Sequence, residues 1–158
     1  MASWREIESS APELAARART ALDAHKHKVL ATLRRDGSPR ISGIEASFTD
    51  GELWLGMMPG SRKALDLRRD PRLALHSASL DPPDDPTAWP GDAKLAGRAV
   101  EVDDPDLLRR LGAGDAGSAH LFRVDITELV HVRVGDPADH LVIDLWQEGK
   151  GLRRMQRR

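Results

Sequence analysis

Short apolar runs separated by turn-forming residues dominate the first half of the chain. One run lies at residues 29–33, a second stretch alternates loosely from Arg40 to Phe48, and a third lies at residues 52–57. The turns between them are marked by Gly37-Ser38-Pro39 and by Asp50-Gly51. Apolar runs joined by short Gly-containing turns predict a three-stranded antiparallel meander.

The rest of the pattern predicts more short strands and three short helices. Strands are predicted at 72–77, 94–102, 119–125, 128–134 and 140–145, with turns at Thr127 and at 135–137. Helices are predicted at 11–26, 62–69 and 105–111, the first capped by Ser10 and the second by Ser61. Hairpin spacing between about eight strands indicates a mainly β fold, an antiparallel barrel or sandwich with helical insertions.

The length of 158 residues favours a single domain over residues 1–158. We expect residues 1–10 and 150–158 to be flexible, and the proline-rich segment 80–91 to be a loop. No apolar run is long enough for a transmembrane helix, and the first residues do not resemble a secretory signal. A cytoplasmic protein is therefore expected, and the excess of Arg over Lys suggests a bacterial, GC-rich genome.

Composition removes several functional classes. The 24 basic and 25 acidic residues give a net charge of -1, which argues against broad electrostatic binding of nucleic acid. The chain has no Cys, which excludes disulfides, a thiolate nucleophile and Cys-based metal centres. It has no Tyr and two Phe, so few side chains are available to stack on bases.

Three further motifs have ordinary structural explanations. Gly112–Gly117 has the letters of a dinucleotide fingerprint, but it follows a predicted helix and precedes a strand, which is the wrong order. His25 and His27 lack further metal ligands nearby, so no metal site is predicted. The basic C-terminal run, with Arg153 and Arg154, fits a solvated tail better than a phosphate or lipid site.

The segment Gly60-Ser61-Arg62-Lys63 is the best candidate site. It places a hydroxyl, a guanidinium and an ammonium at the N-terminus of a predicted helix, where free N–H groups favour anions. This chemistry suits a phosphomonoester. An ordinary surface helix whose basic residues pair with Asp66 and Asp70 explains the same residues, and the two interpretations stay equally open.

The serial order of these segments resembles the pyridoxamine 5′-phosphate oxidase-like superfamily of split-barrel proteins. The resemblance rests on LATLRRDGSPR, the strand pair that follows it, the S-R-K helix start and LRRDPRLAL, and it continues in GDAKLAGRAVEVDDP and LVIDLWQEGKGLRRMQRR. It spans about residues 20–155. It implies an antiparallel split β-barrel of the FMN-binding type, and a homodimer with cofactor sites at the subunit interface.

The resemblance also implies an oxidoreductase that passes hydride between bound FMN or the deazaflavin coenzyme F-420 and a small organic substrate. The cofactor-binding positions it implies are Arg40, Ser42, Met57, Met58, Pro59, Gly60, Ser61, Arg62, Lys63, Lys94 and Trp146. No residue stands out as catalytic, and His76 is the most plausible titratable group. Arg68, Arg69, Arg72 and the C-terminal arginines favour coenzyme F-420, whose tail is polyanionic.

The chain also departs from the family pattern. Glu45 lies where true pyridoxamine phosphate oxidases carry a basic residue, and their C-terminal substrate-phosphate motif is missing, so we do not expect vitamin B6 oxidation. A non-catalytic split barrel that binds a cofactor or haem is the alternative function, and a structural or regulatory domain with an empty barrel is a third.

Overall fold

The computed structural model describes residues 2–112, 114 and 118–158. In this part of the chain eight strands form one antiparallel sheet. They are β1 (His27–Leu33), β2 (Pro39–Thr49), β3 (Glu52–Met57), β4 (Arg72–His76), β5 (Asp92–Glu101), β6 (His120–Val134), β7 (Leu141–Gln147) and β8 (Gly151–Arg157). The helices are α1 (Trp4–Ser10), α2 (Pro12–Asp23), α3 (Arg62–Arg69) and α4 (Pro105–Arg110), with one 3₁₀ turn at Pro86–Ala88.

Six of the strands close into a barrel. The strand order is β3-β2-β1-β4-β5-β6-β7-β8, and β3 pairs again with β6. Trp54 of β3 lies opposite Arg123 of β6, and Met57 lies opposite His120. The predicted meander is confirmed as β1-β2-β3, and so is the antiparallel split barrel, with β7 and β8 extending the sheet beyond β6.

The barrel is filled by alternate residues of its strands. Leu30 of β1, Leu55 of β3 and Leu95 of β5 are all buried in one apolar core. The apolar stripe of α2, which includes Leu14 and Leu22, packs on the same core. The strand predicted at 94–102 is confirmed as β5, in which Leu95, Gly97 and Ala99 are buried and Lys94 and Arg98 are exposed.

The prediction of a turn at Thr127 is wrong, because β6 runs through this position without a break. Ala96 of β5 lies opposite Glu128 and Gly97 lies opposite Ile126, so Thr127 is one extra residue in β6, a β-bulge. The Thr127 hydroxyl donates a hydrogen bond to the carbonyl oxygen of Ala96 at 3.2 Å. Gly97 is needed here, because a Cβ atom would collide with the carbonyl oxygen of Asp125.

The first and last described segments of the chain form regular elements, α1 and β8. Helix α1 starts with a capping box between Ser3 and Glu6, and it buries Trp4 and Ile7. The predicted cap at Ser10 is wrong, because α2 begins at Pro12 after Ala11, and the Ser10 hydroxyl donates to the carbonyl oxygen of Ile7 instead.

The basic C-terminal run forms β8, which pairs along its whole length with β7. Arg154 of β8 and Arg133 of β6 hold the buried Asp144 of β7 with N–O distances of 2.6 and 2.7 Å. Burial raises the pKa of Asp144, but these two hydrogen-bonded arginines outweigh it and keep the pKa below its usual value. No helix within the described residues is long and apolar enough to cross a membrane.

A buried histidine leads to a prediction about acid stability. His131 of β6 is 1% exposed, its Nε2 donates to the carbonyl oxygen of Pro90 at 2.8 Å, and its Nδ1 has no partner within the described residues. Burial lowers the pKa of His131. The unfolded chain, with a histidine pKa of about 6.5, therefore binds a proton that the folded chain does not, and stability falls as the pH drops below that value.

We expect the free energy of unfolding of His131→Leu to depend less on pH in this range than that of the wild type. Urea unfolding of the wild type and of His131→Leu is compared between pH 5 and 8, with His140→Leu as the control. A loss of stability that has the same slope in both proteins contradicts the assignment to His131.

Candidate functional site

The candidate site lies where β3 leads into α3. Met57, the last residue of β3, is buried, whereas Met58 is 78% exposed. The chain then turns through Pro59 and Gly60, and Gly60 has a φ of 68°, a conformation that favours glycine. This junction, residues 57–63, carries seven of the eleven predicted cofactor-binding positions.

The N-terminus of α3 presents unused hydrogen-bond donors. The backbone N–H groups of Arg62, Lys63 and Ala64 have no partner within the described residues, as the geometry of a helix start requires. Ser61 occupies the N-cap position, but its side chain makes no capping hydrogen bond, so that part of the prediction is wrong. Its Oγ is instead buried and unpartnered. A bound anion would satisfy these groups.

The basic side chains of this helix start are not neutralised by the helix itself. Asp66 is bound by Arg40 at 2.7 Å and by Arg69 at 3.0 Å, and Asp70 is bound by Arg72 at 2.7 Å. Arg62 and Lys63 have no carboxylate within 4.0 Å in the described part of the chain. The interpretation in which Asp66 and Asp70 neutralise them is therefore wrong.

Asp66 links α3 to the barrel. It is 3% exposed, and its Oδ2 accepts hydrogen bonds from Thr32 of β1 at 2.8 Å and from Arg40 of β2 at 2.7 Å. Burial raises the pKa of Asp66, but the hydrogen bonds from Arg40, Thr32 and Arg69 outweigh it, and the pKa lies below its ordinary value. Asp66 thus stays ionised and fixes α3 against β1 and β2.

A basic groove of about 770 Å³ lies beside α3. Six arginines and two aspartates line it, together with Leu65; the arginines are Arg34, Arg35, Arg40, Arg62, Arg68 and Arg69. Arg34 and Arg35 come from the turn between β1 and β2, next to the strand start that carries Arg40. The excess of arginine makes this groove suitable for a phosphate-bearing ligand.

A hydrogen-bond network that the sequence does not indicate holds the Gly60 turn. The Gly60 N–H donates to Nε2 of His120 at 3.0 Å. His120 Nδ1 lies 2.9 Å from Glu101, which Arg68 of α3 binds through two hydrogen bonds of 2.7 and 2.8 Å. Because Nε2 accepts from Gly60, the ring proton is on Nδ1 and is donated to Glu101. Gly60 and His120 are far apart in the sequence, so no local pattern predicts the hydrogen bond between them.

Replacing His120 tests whether this network orders the site. His120→Gln places an acceptor near the position of Nε2, whereas His120→Asn reaches only the position of Nδ1. We expect His120→Asn to lose protection of the Gly60 N–H in hydrogen exchange, and His120→Gln to keep most of it. Equal protection of Gly60 in both variants would show that His120 does not hold the turn.

The remaining predicted positions are spread over the barrel. Ser42 lies half-buried on β2 opposite Leu30, and Lys94 lies exposed on β5 between His76 and Val130. Trp146 of β7 is 7% exposed and belongs to the apolar core. The structure thus brings Arg40 and Arg62 together in the basic groove, whereas Lys94 and Trp146 do not line it.

The extended basic surface that favoured coenzyme F-420 is partly paired. Arg68 binds Glu101, Arg69 binds Asp66 and the carbonyl oxygen of Leu33, and Arg72 binds Asp70. The groove arginines without a carboxylate partner in the described chain are Arg34, Arg35 and Arg62. Asp144 likewise holds Arg154 in the C-terminal run.

His76 is not among the described residues that line the basic groove. His76 of β4 contacts the carbonyl oxygen of Ser77 at 2.6 Å through Nδ1. The fingerprint-like segment 112–117 lies outside the described residues apart from Gly112 and Gly114.

Comparison with known families decides the classification. The family model of pyridoxamine 5′-phosphate oxidase matches residues 14–133, which is most of the barrel and includes α3. The chain belongs to the pyridoxamine 5′-phosphate oxidase family. No curated protein matches the chain significantly.

Solved structures support the same fold for this family member. An FMN-binding protein from Nostoc punctiforme, related to pyridoxamine 5′-phosphate oxidase, has a TM-score of 0.62 at 14% identity and covers 100% of this chain and 98% of its own. A haem-binding protein from Mycobacterium smegmatis has a TM-score of 0.60 at 17% identity, with coverages of 90% and 87%. An F420 reductase has a TM-score of 0.52 at 20% identity, with coverages of 70% and 94%. At these identities the likeness is one of fold.

Proposed function

We propose that this protein is an oxidoreductase that binds FMN or coenzyme F-420, with the cofactor phosphate at the N-terminus of α3. One observation carries the proposal. Three unbonded backbone N–H groups, the orphaned Ser61 hydroxyl and two uncompensated cations, Arg62 and Lys63, all meet at one helix start. A phosphate supplies both the negative charge and the several acceptor oxygens that this set requires.

The residues of the junction fit such a cofactor. Ser61, Arg62 and Lys63 would hold the phosphate, and the resemblance implies that Arg40 and Ser42 of β2 face the phosphate or the ring. Met57 to Gly60 would lie along the ring system through main-chain and methionine contacts, in a chain that has no Tyr. When bound, the cofactor supplies hydride transfer to or from a small organic substrate. The protein's part is to bind the cofactor, orient it and exclude water.

Exposed apolar side chains on β1, β2 and the β3–α3 junction suit contact with a second copy of the chain. Val29 of β1 and Ile41 of β2 face outward and are 43% and 71% exposed, and Met58 is more exposed still. Exposed apolar side chains of this kind favour a protein–protein contact. We propose a homodimer with cofactor sites at the interface, in which the exposed Lys94 completes the sites as the family resemblance implies.

Both cofactors are compatible with the arginines that stay free. FMN needs only the compact phosphate site of α3. Coenzyme F-420 carries a polyanionic tail as well, and Arg34 and Arg35 at the edge of the groove would bind it. The paired state of Arg68, Arg69 and Arg72 reduces the advantage of coenzyme F-420, so the two cofactors stand as equal candidates.

Binding titrations test the proposal directly. Purified protein is titrated with FMN and with coenzyme F-420 by fluorescence, and separately with haem by absorbance, and its mass in solution is measured by light scattering. We expect one cofactor per chain for FMN or coenzyme F-420, and a dimer. Binding of neither would overturn the proposal, and haem binding alone would support the non-catalytic alternative. If the protein does not speed up the oxidation of the reduced cofactor by quinones or enones, this result would also favour the non-catalytic alternative.

A further inference from the structure

A second cavity borders the other side of the β3–α3 junction. It measures about 720 Å³, which lies within the range of small-molecule sites. Met57 and Pro59 line it where it meets the junction, and Trp54 and Leu121 add an apolar wall. Neither Arg62 nor Lys63 lines it, so it is separate from the basic groove.

Lys28 is the unusual residue of this cavity. It is in phase with Leu30 and Thr32 on β1, faces inward and is only 4% exposed. Its Nζ donates one hydrogen bond, to the carbonyl oxygen of Lys26 at 3.1 Å. An ammonium group has three donors, so two are left for a ligand.

The carboxylates that the structure describes around this cavity are already paired. Asp23 is bound by Arg19 at 2.6 Å. Glu45 is bound by Lys26 at 3.3 Å and approached by His27 at 3.6 Å. Lys28 is buried and has no carboxylate within 4.0 Å in the described part of the chain, so its ammonium has no direct counter-ion among these residues.

Leaving an ammonium buried and unpaired is unfavourable. Burial lowers the pKa of Lys28, and the more distant Asp23 and Glu45 oppose this only in part. Buried charges in proteins are usually paired or hydrogen-bonded, and a charge that is not so satisfied indicates a ligand or a functional role.

We propose that this cavity binds a small organic monoanion, with its anionic oxygens on Nζ of Lys28 and its apolar part against Trp54 and Met57. Because Met57 and Pro59 belong both to the cavity and to the segment along the cofactor ring, this monoanion is the substrate. That last step rests on the proposed function, whereas the anion site itself does not.

A matched pair of ligands tests the charge requirement. Cofactor-free protein is titrated with 2-naphthoate and with 2-naphthamide, which differ in charge but share the aromatic body, by calorimetry and tryptophan fluorescence. We expect one naphthoate site per chain, and an affinity for the amide that is about tenfold weaker or more, because a charge-assisted hydrogen bond is lost. Equal affinities, or no binding of naphthoate, would overturn the proposal.

A matched pair of variants tests the residue. Lys28→Met should bring the naphthoate affinity down to that of the amide, whereas Lys150→Met, at the exposed β7–β8 turn, should leave it unchanged. Lys28→Met should also raise the thermal midpoint, because an unpaired buried charge becomes an apolar side chain. Unchanged naphthoate binding in folded Lys28→Met contradicts the site.

The cofactor titrations, run on the same samples, separate the two proposals. If naphthoate binds through Lys28 but neither cofactor binds, the anion site is supported and the proposed function is wrong. If a cofactor binds but naphthoate binding does not depend on Lys28, the proposed function is supported and the anion site is wrong.

Discussion

The double variant Arg62→Met/Lys63→Met should bind FMN or coenzyme F-420 about a hundredfold more weakly than the wild type, or worse. Both cations lie at the start of α3 without a carboxylate partner in the described chain, so their charge is available to a phosphate. The backbone N–H groups of Arg62, Lys63 and Ala64 stay in place in the variant. Residual binding therefore measures what the helix N-terminus contributes alone. Fluorescence titration of the cofactor gives both affinities.

The control carries the same chemical changes at a distance from the site. Arg17→Met/Lys150→Met removes one Arg from the exposed face of α2 and one Lys from the exposed β7–β8 turn. We expect it to bind the cofactor as the wild type does. If the control loses as much affinity as the site variant, the cofactor senses only the overall charge of the protein. The proposed phosphate site would then be wrong.

The local sequence pattern is sufficient to predict the strand and the helix that form the candidate site. The predicted strand at 52–57 and helix at 62–69 match β3 and α3. Both are short and bounded by Gly or Pro, so neighbouring residues determine where they begin and end. The basic helix start is also contained within a few consecutive residues, so the sequence alone indicates that it is basic; that it binds a phosphate stays a prediction.

Contacts between distant segments could not be predicted. The closure of the barrel depends on β3 pairing with β6, and the continuity of β6 depends on a bulge opposite Gly97. In the sequence, Thr127 interrupts the apolar pattern of β6 and therefore resembles a turn residue. In the structure its hydroxyl donates a hydrogen bond to Ala96 of β5, and the strand continues.

The state of each charged side chain also required the structure. From the sequence, Arg62 has Asp66 four residues further on, a spacing that favours an ion pair. In the fold Arg40 and Arg69 take Asp66 instead, and Arg62 is left for a ligand. Lys28 did carry a signal, because it alternates in phase with Leu30 and Thr32, but an isolated lysine at a strand start is more often exposed.

Replacing Asp66 with Ala should lower the free energy of unfolding by about 3–5 kcal/mol, because the partners of a buried ion pair are left uncompensated. Thr32, Arg40 and Arg69 would each lose a hydrogen bond to this carboxylate. Asp66→Asn keeps the shape and an acceptor oxygen but removes the charge, so its loss should be smaller. Urea unfolding at neutral pH measures both variants.

A neighbouring aspartate provides the matched comparison. Asp70 ends α3 and pairs with Arg72 near the surface, where the pair lowers the pKa of Asp70 to about 2. Asp70→Ala makes the same chemical change, but solvent screens an exposed pair, so we expect its loss of stability to be clearly smaller than that of Asp66→Ala. A loss in Asp70→Ala as large as that in Asp66→Ala would contradict the role given to burial.

The pH dependence of Asp66 gives an independent test of the same network. The pKa of Asp66 is lower in the folded chain than in the unfolded chain, where it is about 3.9. The unfolded chain therefore binds the proton first, and the stabilisation is lost as the pH falls below that value through the folded pKa. We expect this acid-dependent loss to be smaller in Asp66→Asn than in the wild type. Because Asp66 joins α3 to β1 and β2, the same acidification should loosen the helix start before the barrel unfolds.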